Sequence, residues 1–138
     1  MTTTSPSLVS ILRQGDYLLA SINAALDDGE MLRFQQDLVE RIGSERCRGV
    51  IIDVAALDVL DSYGAHTLGA LAEMARLRGA ETVIVGVSPE IAFTMVRLGM
   101  SIANVHTALD LEQGLQFLAR LTRVGRGLQG SGGGGLRW

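Results

Sequence analysis

Residues 49–64 read Gly49-Val50-Ile51-Ile52-Asp53-Val54-Ala55-Ala56-Leu57-Asp58-Val59-Leu60-Asp61-Ser62-Tyr63-Gly64. The run from Gly49 to Val54 is apolar except for Asp53 and shows no polar-apolar alternation. Such a run reads as a strand buried on both faces, as the strands of parallel sheets are. A short acidic loop follows. Then Asp61-Ser62-Tyr63-Gly64 opens a segment to about Arg78 in which Ala65, Leu68, Ala72 and Ala75 recur at helical spacing. The small residues on that stripe let a helix lie close to a sheet. A doubly buried strand leading into a helix is half of a βαβ unit, so the stretch predicts an α/β fold.

Upstream, Leu8 to Arg13 and Tyr17 to Asn23 are apolar-rich runs around Gln14, Gly15 and Asp16, which predicts a β-hairpin. From about Asp28 to Arg46, Met31, Phe34, Leu38 and Ile42 mark one face of an amphipathic helix. Downstream, Gly79 ends the second helix, Thr82 to Val87 reads as a strand, and Ser88-Pro89-Glu90 as a helix start with serine at the cap. That third helix is expected to reach Leu98 and close at Gly99. A short strand near Asn104 to Thr107 leads into Asp110 to Gln113, an aspartate form of the capping box, and a last helix with Leu111, Leu115 and Leu118 inward. The order ββαβαβαβα implies right-handed crossovers and a mixed, mostly parallel sheet flanked by four helices.

The 138 residues suit one domain, placed at 8–122, with an N-terminal extension at 1–7. From Val124 the chain holds seven glycines in 15 residues. Such composition does not repay its ordering entropy, so residues 123–138 are expected to form a disordered glycine-rich tail. Cys47 is the lone cysteine, which excludes an internal disulfide and suits an intracellular protein. No apolar run approaches the ~18 residues of a membrane span, and the expectation is a cytoplasmic protein that does not engage a membrane. The net charge of −3 lacks the basic field of a nucleic-acid binder. All 12 basic residues are arginines, which excludes a Walker A lysine, a Schiff-base lysine and the lysine of a phospho-receiver site.

In open α/β sheets the functional crevice lies beyond the carboxyl ends of the strands. Asp61 and Ser62 there have two readings. Either oxygen can cap the helix, or Ser62 is a hydroxyl for reversible phosphorylation at a helix N-terminus, with Asp58 and Asp61 setting its electrostatics. Asp53 reads as satisfying loop amides. His66 and His106 have no zinc spacing, and Ser62 with His66 lacks the Gly-x-Ser-x-Gly elbow. Met74, Met95 and Met100 read as core filler, and no dinucleotide cradle appears. No catalytic group, metal or cofactor is expected.

The run Gly49 to Val54, then Val59 to Gly64 with Leu68 and Gly69, resembles the signature of STAS domains of the anti-sigma-factor antagonist type, over about Leu8 to Leu121. Within that family Leu26-Asp27-Asp28, Asp61-Ser62-Tyr63 and Thr107 to Leu115 are most similar to the RsbS branch, the small STAS component of the stressosome. Tyr63 stands where many other antagonists have a second serine. The resemblance implies a non-enzymatic scaffold that joins RsbR-type STAS proteins in a large assembly and sequesters an RsbT-type serine kinase. Phosphorylation would fall on Ser62, amid Asp28, Asp58, Asp61, Tyr63 and Gly64, and an RsbX-type phosphatase would reset it. The alternatives are a simple anti-anti-sigma factor binding an anti-sigma-factor kinase, and, in a different class, a small α/β enzyme or ligand-binding domain.

Overall fold

The computed structural model describes residues 8–98 and 105–130, the last seven by their backbone. The chain runs β1 (Val9–Gln14), β2 (Tyr17–Ile22), α1 (Asp28–Glu45), β3 (Gly49–Asp53), α2 (Ser62–Leu77), β4 (Glu81–Val85), α3 (Pro89–Arg97), β5 (His106–Ala108) and α4 (Leu111–Gly130), in the expected order. The strands lie side by side in chain order, β1 antiparallel to β2 and each later pair parallel. Strands added always on the same side through right-handed crossovers leave the intervening helices on one face. Met31, Phe34, Leu38 and Ile42 of α1, Ala65, Leu68, Leu71, Ala72 and Ala75 of α2, and Ile91 and Met95 of α3 accordingly share one core with Leu18, Val50, Ile52 and Ile84. Across the sheet, Leu118 of α4 packs with Ile51, Val83 and Val85. The side chains of β3 thus alternate between two cores, which is why its sequence shows no alternation of polarity.

Local chemistry sets the helix ends. Asp27 and Glu30 form a reciprocal capping box on α1, with both bonds at 2.8 Å. Ser88 caps α3 with Pro89 in its first turn, as expected. Gly86 has φ +78°, and a Cβ there would stand 2.8 Å from that of Ala55. This backbone ends β4 two residues before the expected Val87, although the apolar run continues.

The last helix departs furthest from expectation. Leu111, expected inward, is exposed, and Gly114, Leu118 and Thr122 form the buried stripe. The first turn of α4 overhangs the end of β5, and the helix settles onto the sheet only at Gly114, where a Cβ would stand 2.9 Å from Val85 Cγ1. Asp110 accepts from the Gln113 amide at 3.0 Å, but the Gln113 side chain takes the amide of Leu109 rather than closing a reciprocal box. The α4 backbone also continues to Gly130, past the expected change at Val124. Gly125 and Gly127 lower helix propensity by about 1 kcal/mol each without forbidding helical dihedrals. Among the described residues β5 runs His106–Ala108. Asn104, Gly99, Met100, the 1–7 extension and residues 131–138 lie outside the described residues.

At the foot of α1 an ion cluster joins the helix to the hairpin. Arg41 Nε donates to Glu45 Oε2 at 2.7 Å, and Arg13 Nη1 reaches Glu45 Oε1 at 3.3 Å and its carbonyl at 2.8 Å. Arg41 Nη1 also donates to the carbonyl of Ile11 on the outer edge of β1 at 3.3 Å. The hydrogen bond from Arg41, aided by Arg13 and opposed by desolvation, holds the Glu45 carboxyl below its ordinary pKa. A carboxyl with a depressed folded-state pKa adds stability above its unfolded pKa, here near 4.5, and loses it as pH falls through the lower folded value. Glu45→Gln is therefore expected to lower Tm slightly at pH 7, with the gap from wild type closing below pH 4.5. Thermal melts across pH 3 to 7 check this, and a gap independent of pH would contradict it.

Candidate functional site

The site is built where β3 hands over to α2. Asp53 Oδ1 accepts the Ala55 amide at 2.9 Å, turning the chain out of the strand, as its loop-satisfying reading expects. Leu57 and Leu60 are buried and pin the loop, while Asp58 and Val59 between them are exposed. The Asp61 backbone is extended, and its Oδ1 accepts the Gly64 amide at 2.7 Å. Asp61 is thus the cap of α2. Ser62 is the first residue inside the helix, exposed, and its hydroxyl has no hydrogen-bond partner among the described residues. Cap and free hydroxyl fall on different residues: the aspartate closes the helix and leaves the serine oxygen facing solvent.

Gly64 allows this geometry. A Cβ there would stand 2.9 Å from Leu60 Cδ1, 3.2 Å from Asp61 Oδ1 and 3.5 Å from Met31 Cε of α1. The start of α2 therefore closes onto both its own loop and α1. Asp28 occupies the corresponding position in α1, exposed in the first turn just after the Asp27 cap. Two adjacent helices thus open alike, an aspartate cap followed by an outward residue, carboxylic in α1 and hydroxylic in α2. Tyr63 is partly exposed beside Ser62.

The remaining sequence candidates take other roles. His66 is exposed on α2 and no hydrogen bond joins it to Ser62. His106 lies 3.2 Å from Glu81 and packs edge-on against Phe117. Among the described residues no three His, Cys, Asp or Glu side chains cluster as metal ligands. Burial pushes the Cys47 thiol pKa up. An open cleft of about 560 Å³ runs between α1 and α2, lined by Gln36, Val39, Met74 and Arg78 among others, and does not border Ser62. No helix among the described residues is long and apolar enough to cross a membrane.

The sequence reading missed the capping box on Asp27, although the Asp-x-x-Glu spacing signals it. It also missed a buried polar link from Gln35 to Thr67, which no spacing rule would reveal.

A family model described as the STAS domain matches residues 9–114. The chain belongs to the STAS-domain family. Among solved STAS structures it is similar to a serine-to-glutamate variant of RsbS from Moorella thermoacetica, with 32% identity and TM-score 0.76 over 85% of this chain and 99% of that one. A chain in a structure of the stressosome, described as a signal integration and transduction hub, aligns at 30% identity and TM-score 0.69, covering 83% of this chain and 99% of that one. RsbT co-antagonist protein RsbRA of Bacillus subtilis is 32% identical over 97 residues, 70% of this chain and 35% of that protein. The chain spans about a third of the length of the curated relatives it matches. Its fold is that of the anti-sigma-factor antagonists, related to RsbS and the stressosome proteins.

The division of labour at the STAS site has a direct stability test. Asp61→Ala is expected to cost about 0.5 to 2 kcal/mol through loss of the cap. Ser62→Ala is expected to stay within about 0.5 kcal/mol of wild type, as surface substitutions do. Urea unfolding of both variants checks this, and a Ser62→Ala loss as large as that of Asp61→Ala would contradict it.

Proposed function

We propose that this chain is a non-enzymatic, cytoplasmic switch protein of the stressosome type. With RsbR-type STAS partners it holds an RsbT-type serine kinase, which it releases when Ser62 is phosphorylated. An RsbX-type phosphatase restores the holding state. The observation that carries this reading is Ser62 itself: exposed, without a hydroxyl partner among the described residues, and placed next to the Asp61 cap at a helix start. Identity to RsbS at 32% and to a protein named as an RsbT co-antagonist supports the choice of partners. The rival reading, a simple anti-anti-sigma factor, draws on SpoIIAA, whose 12% identity carries the fold alone.

The chemistry of release follows from the cap. Phosphorylation adds about −1.5 to −2 charges at neutral pH. The Asp61 carboxylate already occupies the Gly64 amide and offsets the positive end of the α2 dipole. A phosphate on Ser62 therefore adds to a carboxylate instead of replacing one, and projects toward whatever covers this surface. Asp28, Asp58 and Asp61 make that end acidic before modification. The added charge weakens a docked kinase through repulsion and desolvation while the fold stays as it is.

Titration of an RsbT-type kinase against wild type, Ser62→Asp and the Ser62-phosphorylated protein at two salt concentrations tests this. Phosphorylation is expected to weaken binding about tenfold to a hundredfold, each tenfold being about 1.4 kcal/mol. Ser62→Asp falls between the two, and higher salt narrows the differences. Equal affinity across the three, or tighter binding after phosphorylation, would overturn release by repulsion. Sedimentation with RsbR-type proteins separates the readings: a very large assembly supports the stressosome role, and a small complex the simple antagonist.

A further inference from the structure

We infer that Gln35 of α1 is a positioning residue for phosphorylation of Ser62, an inference that rests on the reading of Ser62 as the modified serine. Gln35 is a buried polar side chain on a helix face otherwise made of Met31, Phe34, Leu38 and Ile42. Its Nε2 donates to the backbone carbonyl of Thr67 in α2 at 3.0 Å. Thr67 is buried as well, and its Oγ1 donates to the carbonyl of Tyr63 at 2.7 Å. Tyr63 is bonded covalently to Ser62. The Gln35 bond therefore ties α1 to α2 at Thr67 through a directional contact, while the Thr67 hydroxyl bond stays within α2.

The packing alone does not supply this tie. The inner face of α2 is apolar, made of Ala65, Leu68, Leu71, Ala72 and Ala75, and apolar contacts are individually non-directional. A leucine at position 35 would fill the interface as well and would leave no amide to satisfy. A carbonyl oxygen carries two lone pairs, so the carbonyls of Thr67 and Tyr63 accept these side-chain donors in addition to the amides of their own helix. Gln35 thereby helps to fix the azimuth of α2 about its axis, and with it the direction in which the Ser62 Cα–Cβ bond projects. Phosphoryl transfer depends on that direction, since misplacing a reacting atom by about 1 Å can cost a hundredfold in rate.

The test follows initial rates of Ser62 phosphorylation by a purified RsbT-type serine kinase with ATP, over a range of protein concentrations, together with thermal melts. Gln35→Leu is expected to lower kcat about tenfold with KM within about twofold, because the exposed docking surface is unchanged while the Ser62 Cα–Cβ bond loses its fixed direction. Ile42→Val, which removes one methyl from the same helix face away from the link, is expected to leave kcat and KM at wild-type values despite its loss of stability. Gln35→Met, which keeps an unbranched side chain of similar length and loses the donor, repeats the loss of kcat. Wild-type kcat in Gln35→Leu and Gln35→Met, or an equal loss in Ile42→Val, overturns the inference while the Ser62 reading stands. A wild-type protein phosphorylated elsewhere and not on Ser62 overturns both.

Discussion

The requirement that β3 lose water on both faces governs the rest of the molecule. Val50 and Ile52 face the layer of α1, α2 and α3, and Ile51 faces α4, so neither layer can be absent without exposing the middle of the sheet. Three crossover helices supply one layer. The chain must then return over the other face, and α4 does so through Leu118, with Gly114 letting it approach Val85. The carboxyl end of β3 is therefore anchored by a strand packed on both faces. The loop that leaves it is held by Leu57, Leu60 and the Asp61 cap. Ser62 stands next to that cap, exposed and with no hydrogen-bond partner for its hydroxyl among the described residues.

The sequence made some of this legible and hid the rest for physical reasons. Periodicity marked the inner faces of α1 and α2 correctly because both helices lie along the sheet for most of their length. It failed at Leu111 because helical phase is silent about where a helix overhangs the layer beneath it. The end of β4 was hidden because Val87 continues the apolar run, whereas the backbone turns at Gly86 against Ala55, a neighbour only in space. Glycine content suggested an end to α4 near Val124, yet the helix persists to Gly130 because leucine, glutamine, arginine and valine are interspersed with those glycines.

At the site, composition left Asp61 and Ser62 as equal candidates for the cap, since both carry an oxygen able to accept a helix amide. The structure separates them by one residue of backbone. Asp61 is extended and outside the helix, Ser62 is inside it, and only the former can reach the amide of Gly64. The link from Gln35 lay beyond sequence reasoning because a single polar residue within an apolar stripe does not name its partner. Asp27 with Glu30 was readable in principle, as both residues and their spacing are local.

An open strand edge is a template on which another chain can polymerise through backbone pairing, and β1 forms one edge of the described sheet. Arg41 occupies the Ile11 carbonyl on that edge, steadied by Glu45, which also holds Arg13. A pairing strand would have to evict a guanidinium that keeps both a carboxylate and a carbonyl as partners. Extension of the sheet from the β1 edge is thereby discouraged. On that side a neighbouring chain is left to meet the domain through side-chain surfaces, whose contacts are discrete in number and come apart again, rather than through a continuous ribbon that grows without limit.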